Sequence, residues 1–146
     1  MPADPHDLAR FIDAQGSTYE AAISELRSGR KHTHWMWFVF PQVKGLGTSF
    51  NSTRYGIGSL AEARAYLEHP VLGTRLVACT EALLAHEGLS ATTIMGAVDA
   101  QKLRSSLTLF GAVSPAGSAF HRALERFFAG AADELTMAVL REWGGR

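Results

Sequence analysis

The chain has few of the features that mark secreted, membrane-spanning or nucleic-acid-binding proteins. It contains one cysteine, Cys79, so no internal disulfide can form, which is compatible with a reducing compartment. No segment approaches the roughly 18 consecutive apolar residues of a spanning helix, and the N-terminus shows no basic segment followed by an apolar run. The 14 basic and 14 acidic residues cancel, which argues against general nucleic-acid binding. We therefore expect a cytoplasmic protein that does not enter membranes.

Motifs that would identify a reaction are also missing. No G-K-S/T sequence exists, which excludes a P-loop, and no G-x-S-x-G nucleophile motif is present. His32 and His34 form an H-x-H pair, but no third ligand follows at a recognisable spacing, so we predict no metal site. Cys79 lies on an apolar helical stripe and is expected to be an inert thiol. The sequence indicates no cofactor.

What the chain does contain is helical periodicity through most of its length. At 146 residues a single domain can bury roughly 70% of its unfolded surface without a metal or disulfide. We therefore predict an all-α fold, with residues 1–146 forming one compact bundle of about seven helices. The segments with the helical pattern are 7–15, 17–29, 59–70, 69–88, 99–111, 119–130 and 133–145.

Residue types at the ends of these segments predict how the helices are capped. The expected N-caps are aspartates, the expected capping boxes pair a serine with a glutamate three residues later, and the expected stops are glycines. The expected N-caps are Asp7, Asp99 and Asp133. The expected capping boxes are Ser17–Glu20 and Ser59–Glu62, and the expected stops are Gly29 and Gly111.

Two neighbouring segments stand out from the helices. Residues 29–42 hold four large aromatics, which cannot all share one face, so either all pack in the core or one tryptophan lines a pocket. Residues 45–59 are rich in Gly, Ser and Asn and predict a long loop, with one helical turn near residues 53–55. A loop of that length is often functional, and its amides, hydroxyls and Arg54 would suit an anion.

Four segments resemble, in order, the sequence pattern of a bacterial family catalogued as domain of unknown function 1810. They are GRKHTHWMWFVFPQVKGLGTS, YGIGSLAEARAYLEHPVLGTRL, DAQKLRSSLTLF and FFAGAADELTMAVL, and together they extend over almost the whole chain. The resemblance implies an all-α single domain with no established activity. Some members of the family carry the label calpastatin, which does not suit a chain with 10% aromatic residues and capped amphipathic helices.

The positions that match the family pattern with polar or aromatic residues cluster in the first helices and in the helix from Asp99. A family shaped by core packing would be expected to leave mostly apolar signatures instead. The matching positions are Gln15, Tyr19, Lys31, His34, Trp35, Trp37, Gln42, Tyr55, His69, Asp99, Lys102, Ser105, Thr108, Asp133 and Thr136.

These observations leave two functions open. The first is a small-molecule site for an anionic or nucleotide-like metabolite, built from residues 31–58 and the helix 99–110. Its expected ligand-binding residues are Lys31, Trp35, Trp37, Gln42, Arg54, Tyr55, Lys102, Arg104 and Ser105.

In that first function one tryptophan would stack on the ligand and the cations would neutralise it. If the protein is an enzyme, we expect hydrolysis of a nucleotide derivative with His34 as acid or base, because histidine ordinarily titrates near neutral pH. The second function is a protein-interaction or structural module without catalysis. The sequence does not indicate an oligomeric state.

Overall fold

The seven predicted helices all form in the computed structural model, which describes residues 3–144. Over these residues the chain is all-α, and three short helices join the seven long ones. The ten helices are α1 (Ala9–Gly16), α2 (Tyr19–Ser28), α3 (Met36–Val39), α4 (Phe50–Arg54), α5 (Leu60–Glu68), α6 (Leu72–Leu84), α7 (Ala91–Met95), α8 (Ala97–Ala112), α9 (Ala119–Phe128) and α10 (Glu134–Gly144).

Helix α8 is the centre of the bundle and packs against α5, α7, α9 and α10. Its sequence predicts a single apolar stripe, yet every residue from Ser105 to Gly111 is buried, because neighbours cover several of its faces. Helix α6 packs against α2, α5 and α9 on the other side of the core. Phe110 of α8 lies between Tyr66 of α5 and Phe120 of α9, with ring centroids 5.3 and 5.9 Å away.

Several predicted caps are confirmed. Ser59 accepts a hydrogen bond from the Glu62 N–H at the start of α5, and Asp133 accepts one from the Thr136 N–H at the start of α10. Gly29 ends α2 in the left-handed conformation, with φ of 84°.

Other predicted caps are wrong, and in each case a neighbour takes the role or the helix boundary moves. Asp4, not Asp7, accepts hydrogen bonds from the first N–H groups of α1, at 2.8 Å from Leu8 and 3.0 Å from Ala9. Helix α2 begins after Thr18 without a side-chain cap, so the Ser17–Glu20 box does not form. Helix α8 begins at Ala97, which puts Asp99 in its first turn, and it continues through Gly111.

The glycine-rich segment is a closed loop with a short helix inside it. Its base is a parallel bridge between Val43 and Ile57, held by hydrogen bonds from Ile57 N to Gln42 O and from Lys44 N to Ile57 O, both 2.8 Å. Gly56 is required at this point, because a Cβ there would lie 2.7 Å from the Cα of Lys44. The predicted helical turn is present as α4, somewhat earlier than residues 53–55.

A buried arginine fixes this loop to the bundle. All five N–H groups of the Arg10 guanidinium donate: Nε to Arg54 O, Nη1 to two carbonyls at residues 6 and 7, and Nη2 to Gly56 O and the Glu62 carboxylate at 2.6 Å. Arg10 is only 8% exposed. Arg10 and Glu62 therefore connect α1, α5 and the end of the loop.

Candidate functional site

A cavity of about 730 Å³, here called the main cavity, lies between the loop 42–56 and the exposed side of α8. Its volume is in the range of small-molecule sites. Five of the predicted ligand-binding residues line it: Trp37, Gln42, Tyr55, Lys102 and Ser105. Lys102 and Ser105 reach it together because residues three apart share a helix face.

A smaller cavity of about 350 Å³, here called the side cavity, adjoins the first at the corner between α7 and α8. Lys31, His34 and Asp99 line it, together with Trp37 and Lys102 from the main cavity. His34 and Lys102 thus share a cavity, and the tryptophan that lines it is Trp37. Seven of the ten predicted site residues therefore line one cavity or the other.

Glu25 of α2 holds the segment that carries His34. Its carboxylate accepts four hydrogen bonds, from the backbone N–H groups of His32 and Thr33, from Thr33 Oγ1 at 2.6 Å, and from Trp35 Nε1 at 2.9 Å. Burial by itself would raise the pKa of Glu25, but these four hydrogen bonds outweigh it and lower the pKa from 4.5 to about 2. The bonds favour the charged carboxylate, which in turn fixes the backbone around His34.

Trp35, one of the two tryptophans considered for stacking on a ligand, lies in the core and lines neither cavity. Its side chain is fully buried, and its indole N–H is used by Glu25. The Lys31 ammonium lies 4.8 Å from the centre of the Trp35 ring, so this tryptophan stabilises the lysine by a cation–π contact. Trp35 precedes α3 and its indole is held by Glu25, whereas Trp37 lies within α3 and lines both cavities.

Trp37 is half-buried, and Lys102 covers part of it. The Lys102 ammonium lies 4.4 Å from the ring centre, a cation–π contact that holds the charge over one face of the indole. That face is occupied by the ammonium rather than left open for a ligand ring. The geometry therefore favours Trp37 as the residue that positions Lys102.

Two predicted cations point away from both cavities. Arg54 is exposed and forms an ion pair of 3.3 Å with Asp7 on the opposite side of the loop. Arg104 donates to the carbonyls of Ala131 and Ala132 and lies over the Phe128 ring. Arg104 is two residues from Lys102, which turns it to another face of α8.

Asp99 does not cap a helix; its carboxylate forms the ion pairs of the side cavity. Its carboxylate pairs with Lys31 at 2.8 Å and with Lys102 at 3.3 Å. Lys31 is nearly buried, and its backbone N–H donates to Ile94 O at 2.7 Å, which fixes the lysine at the α7–α8 corner. Two ammonium groups thus share one carboxylate.

Sequence reasoning missed part of the main cavity. Gln101 donates to the Asp133 carboxylate at 2.9 Å, and both residues line this cavity. Asp133 was expected as a cap, and it does cap α10, but its second oxygen faces Gln101. The match of Asp133 to the family pattern could have indicated a role at the site, but its position before α10 is already explained by helix capping.

Several polar groups that line the main cavity have no hydrogen-bond partner among the described residues. Within residues 3–144, the Gln42 side-chain amide and the Tyr55 hydroxyl make no hydrogen bond to the protein. Both groups reach solvent, so water or a bound molecule can pair with them. In the same described residues, no group of three His, Cys, Asp or Glu side chains is placed to hold a metal ion, and no helix is long and apolar enough to span a bilayer.

Comparison with known proteins places the fold and the family. The structure is similar to the crystal structure of the conserved hypothetical protein Rv1873 from Mycobacterium tuberculosis, with a TM-score of 0.92 and 48% identity over 94% of this chain and 98% of that one. No curated protein matches. The sequence pattern of a family described as a protein of unknown function, DUF1810, matches residues 5–140. The chain therefore belongs to the DUF1810 family.

Proposed function

We propose that the protein binds a small anionic or nucleotide-like metabolite in the main cavity. The observation that carries the proposal is the meeting of five predicted residues around one cavity whose Gln42 amide and Tyr55 hydroxyl have no hydrogen-bond partner among the described residues. Lys102 supplies the positive charge, and Trp37 holds its ammonium in place. Leu46 and Val43 supply the apolar surface that such sites normally contain.

In a catalytic version of this proposal, His34 transfers the proton. His34 lines the side cavity and is exposed, and Glu25 binds the backbone N–H of Thr33 before it and the indole of Trp35 after it. Hydrolysis of a nucleotide derivative is the reaction class that a general acid or base beside two ammonium groups would serve. Binding does not depend on this step, so the two are tested separately.

A thermal-shift screen against nucleotides, nucleosides and sugar phosphates tests binding. A ligand present at about 100 times its Kd stabilises the folded state by about 2.7 kcal/mol, which gives a clear rise in Tm. Gln42→Ala and Lys102→Gln should reduce that rise. Lys44→Gln is the matched control, because Lys44 is exposed, lies in the same loop and lines neither cavity.

Two results would count against the ligand proposal: no rise in Tm from any compound, or a rise that Gln42→Ala and Lys102→Gln leave unchanged. If a ligand binds, His34→Ala then separates binding from turnover. Loss of product formation with binding retained would support catalysis by His34, whereas unchanged turnover would remove His34 from that role.

The interaction module is the second candidate, because large exposed apolar side chains line the main cavity or lie in the loop that borders it. Phe50, Val98 and Leu135 are 78%, 71% and 67% exposed, and the last two line the cavity itself. Exposed apolar groups that lie together often mark a binding surface. Sedimentation of the protein and of Phe50→Ser tests this: self-association that the substitution abolishes, together with no ligand response, would favour this second function.

A further inference from the structure

The two cavities share part of their lining and therefore lie next to each other at the start of α8. Trp37, Val98 and Lys102 contribute to each of them. The charges in the two cavities differ, and this difference indicates how a ligand would be oriented. This inference rests on the proposed function and deepens it.

The side cavity carries excess positive charge. Lys31 and Lys102 both pair with Asp99, so two positive charges face one negative charge, with His34 at the same cavity. The start of α8 also opens here, and no side chain caps its first N–H groups. Unpaired N–H groups at a helix N-terminus add partial positive charge to the effect of the lysines. An anionic group is therefore favoured in the side cavity.

The main cavity has the opposite preference away from Lys102. Its other charged residue in the described chain is Asp133, which is 6% exposed and accepts a hydrogen bond from Gln101. A second anion placed near a nearly buried carboxylate would be repelled. The carboxylate oxygens and the free Gln42 amide instead suit hydroxyl or amino groups.

We propose that the ligand is a phosphate monoester of a nucleoside or sugar that spans both cavities. Its phosphate lies in the side cavity with Lys31, Lys102 and the start of α8. Its hydroxyl- or amino-bearing part lies in the main cavity against Asp133 and Gln42. The sequence suggested an anion within the glycine-rich loop. In this proposal the anion lies instead at the corner between α7 and α8, where the positive charges are.

A pair of charge-introducing variants tests the orientation. Ala97→Glu adds a carboxylate to the side cavity at an exposed position in the first turn of α8, where an acidic residue is favourable for the helix. Thr48→Glu adds the same charge to the main cavity at an exposed loop position. Both are expected to fold, and a urea unfolding curve for each verifies this.

Calorimetry with adenosine 5′-monophosphate, adenosine and ribose 5-phosphate gives the readout. Each charge-assisted phosphate contact is expected to favour the phosphorylated probes by about tenfold over adenosine. We expect Ala97→Glu to remove most of that preference while Thr48→Glu retains it. His34→Gln, at an exposed position in the side cavity, should also lower the preference.

The outcomes separate this inference from the proposed function. Suppose that the phosphorylated probes bind and that their binding depends on Gln42. If Thr48→Glu, rather than Ala97→Glu, then removes the preference for these probes over adenosine, the orientation is overturned and the binding proposal stands. Equal binding of adenosine and its monophosphate overturns the orientation in the same way. If none of the three probes binds, both proposals fail for this ligand class.

Discussion

Replacing Glu25 with glutamine tests whether its charge, rather than its shape, holds the segment before α3. Glutamine keeps the size of the side chain but removes the negative charge that accepts four hydrogen bonds from residues 32, 33 and 35. The amide also places a donor where one carboxylate oxygen accepted. The segment affected carries Lys31 and His34, so the test concerns the support of the candidate site.

The magnitude follows from the lowered pKa. A pKa lowered from 4.5 to about 2 corresponds to about 3.5 kcal/mol, at about 1.4 kcal/mol for each pH unit. Glu25 is partly exposed, and screening by water reduces this to about 1–2 kcal/mol. We expect Glu25→Gln to lower the free energy of unfolding by that amount at pH 7.

The pH dependence has a definite sign. Because the folded-state pKa lies below the unfolded value, the stabilisation by Glu25 is fully present above about pH 4.5 and is lost as the pH falls toward 2. Glutamine imitates the protonated acid, so the stability difference between the two proteins should shrink through the same window. Urea unfolding at several pH values between 7 and 2.5 measures this difference.

A matched control is available in Glu87→Gln, since Glu87 is exposed and its side chain makes no hydrogen bond or ion pair within the described residues. This change should leave stability within about 0.5 kcal/mol of the wild type. A difference between Glu25→Gln and wild type that stays constant from pH 6 to pH 2.5 would refute the reasoning, because a pH-independent cost cannot come from the carboxylate charge.

Three further predictions concern the core and the loop. Arg10→Met should cost about 3–5 kcal/mol in urea unfolding, because it leaves the Glu62 carboxylate buried without its partner; the double change with Glu62→Leu should recover part of that loss, and a double variant as unstable as the single one would contradict this account. Gly73→Ala should lower Tm, because a Cβ there would collide with the Leu67 carbonyl, whereas Gly88→Ala, which faces open space, should not; equal Tm values for the two would be inconsistent with the clash. Burial raises the pKa of the Cys79 thiol to about 12, so a thiol-specific reagent at pH 8 should modify it after unfolding and not in the native protein, and rapid native labelling would show that the thiol is accessible.

Much of the fold follows from short-range sequence patterns. The seven long helices could be predicted because the spacing of apolar residues and the residues at helix ends are local properties. The wrong caps show the limit of that reasoning. Asp4 and Asp7 are both suitable acids near the start of α1, and which one caps it depends on a backbone conformation with φ of 50° at Asp7.

The candidate site was predictable as a region and less so residue by residue. Lys102 and Arg104 are both cations on α8, and the sequence offers no means to choose between them. The choice is made by what packs nearby: Trp37 takes the Lys102 ammonium, while the α9–α10 connection takes Arg104. A tertiary contact also decides between Trp35 and Trp37, because Glu25 binds the Trp35 indole and holds it in the core.

The sequence by itself therefore determined the helical class of this protein, its family and the segments that surround the cavities, because each depends on residues close together in the chain. Only the tertiary structure decided which side chains face those cavities and where the charge is concentrated. The Lys31–Asp99–Lys102 cluster joins residues about 70 positions apart, and the Arg10–Glu62 pair joins residues 52 apart. Contacts of that range depend on how the helices pack against one another, which no local pattern specifies.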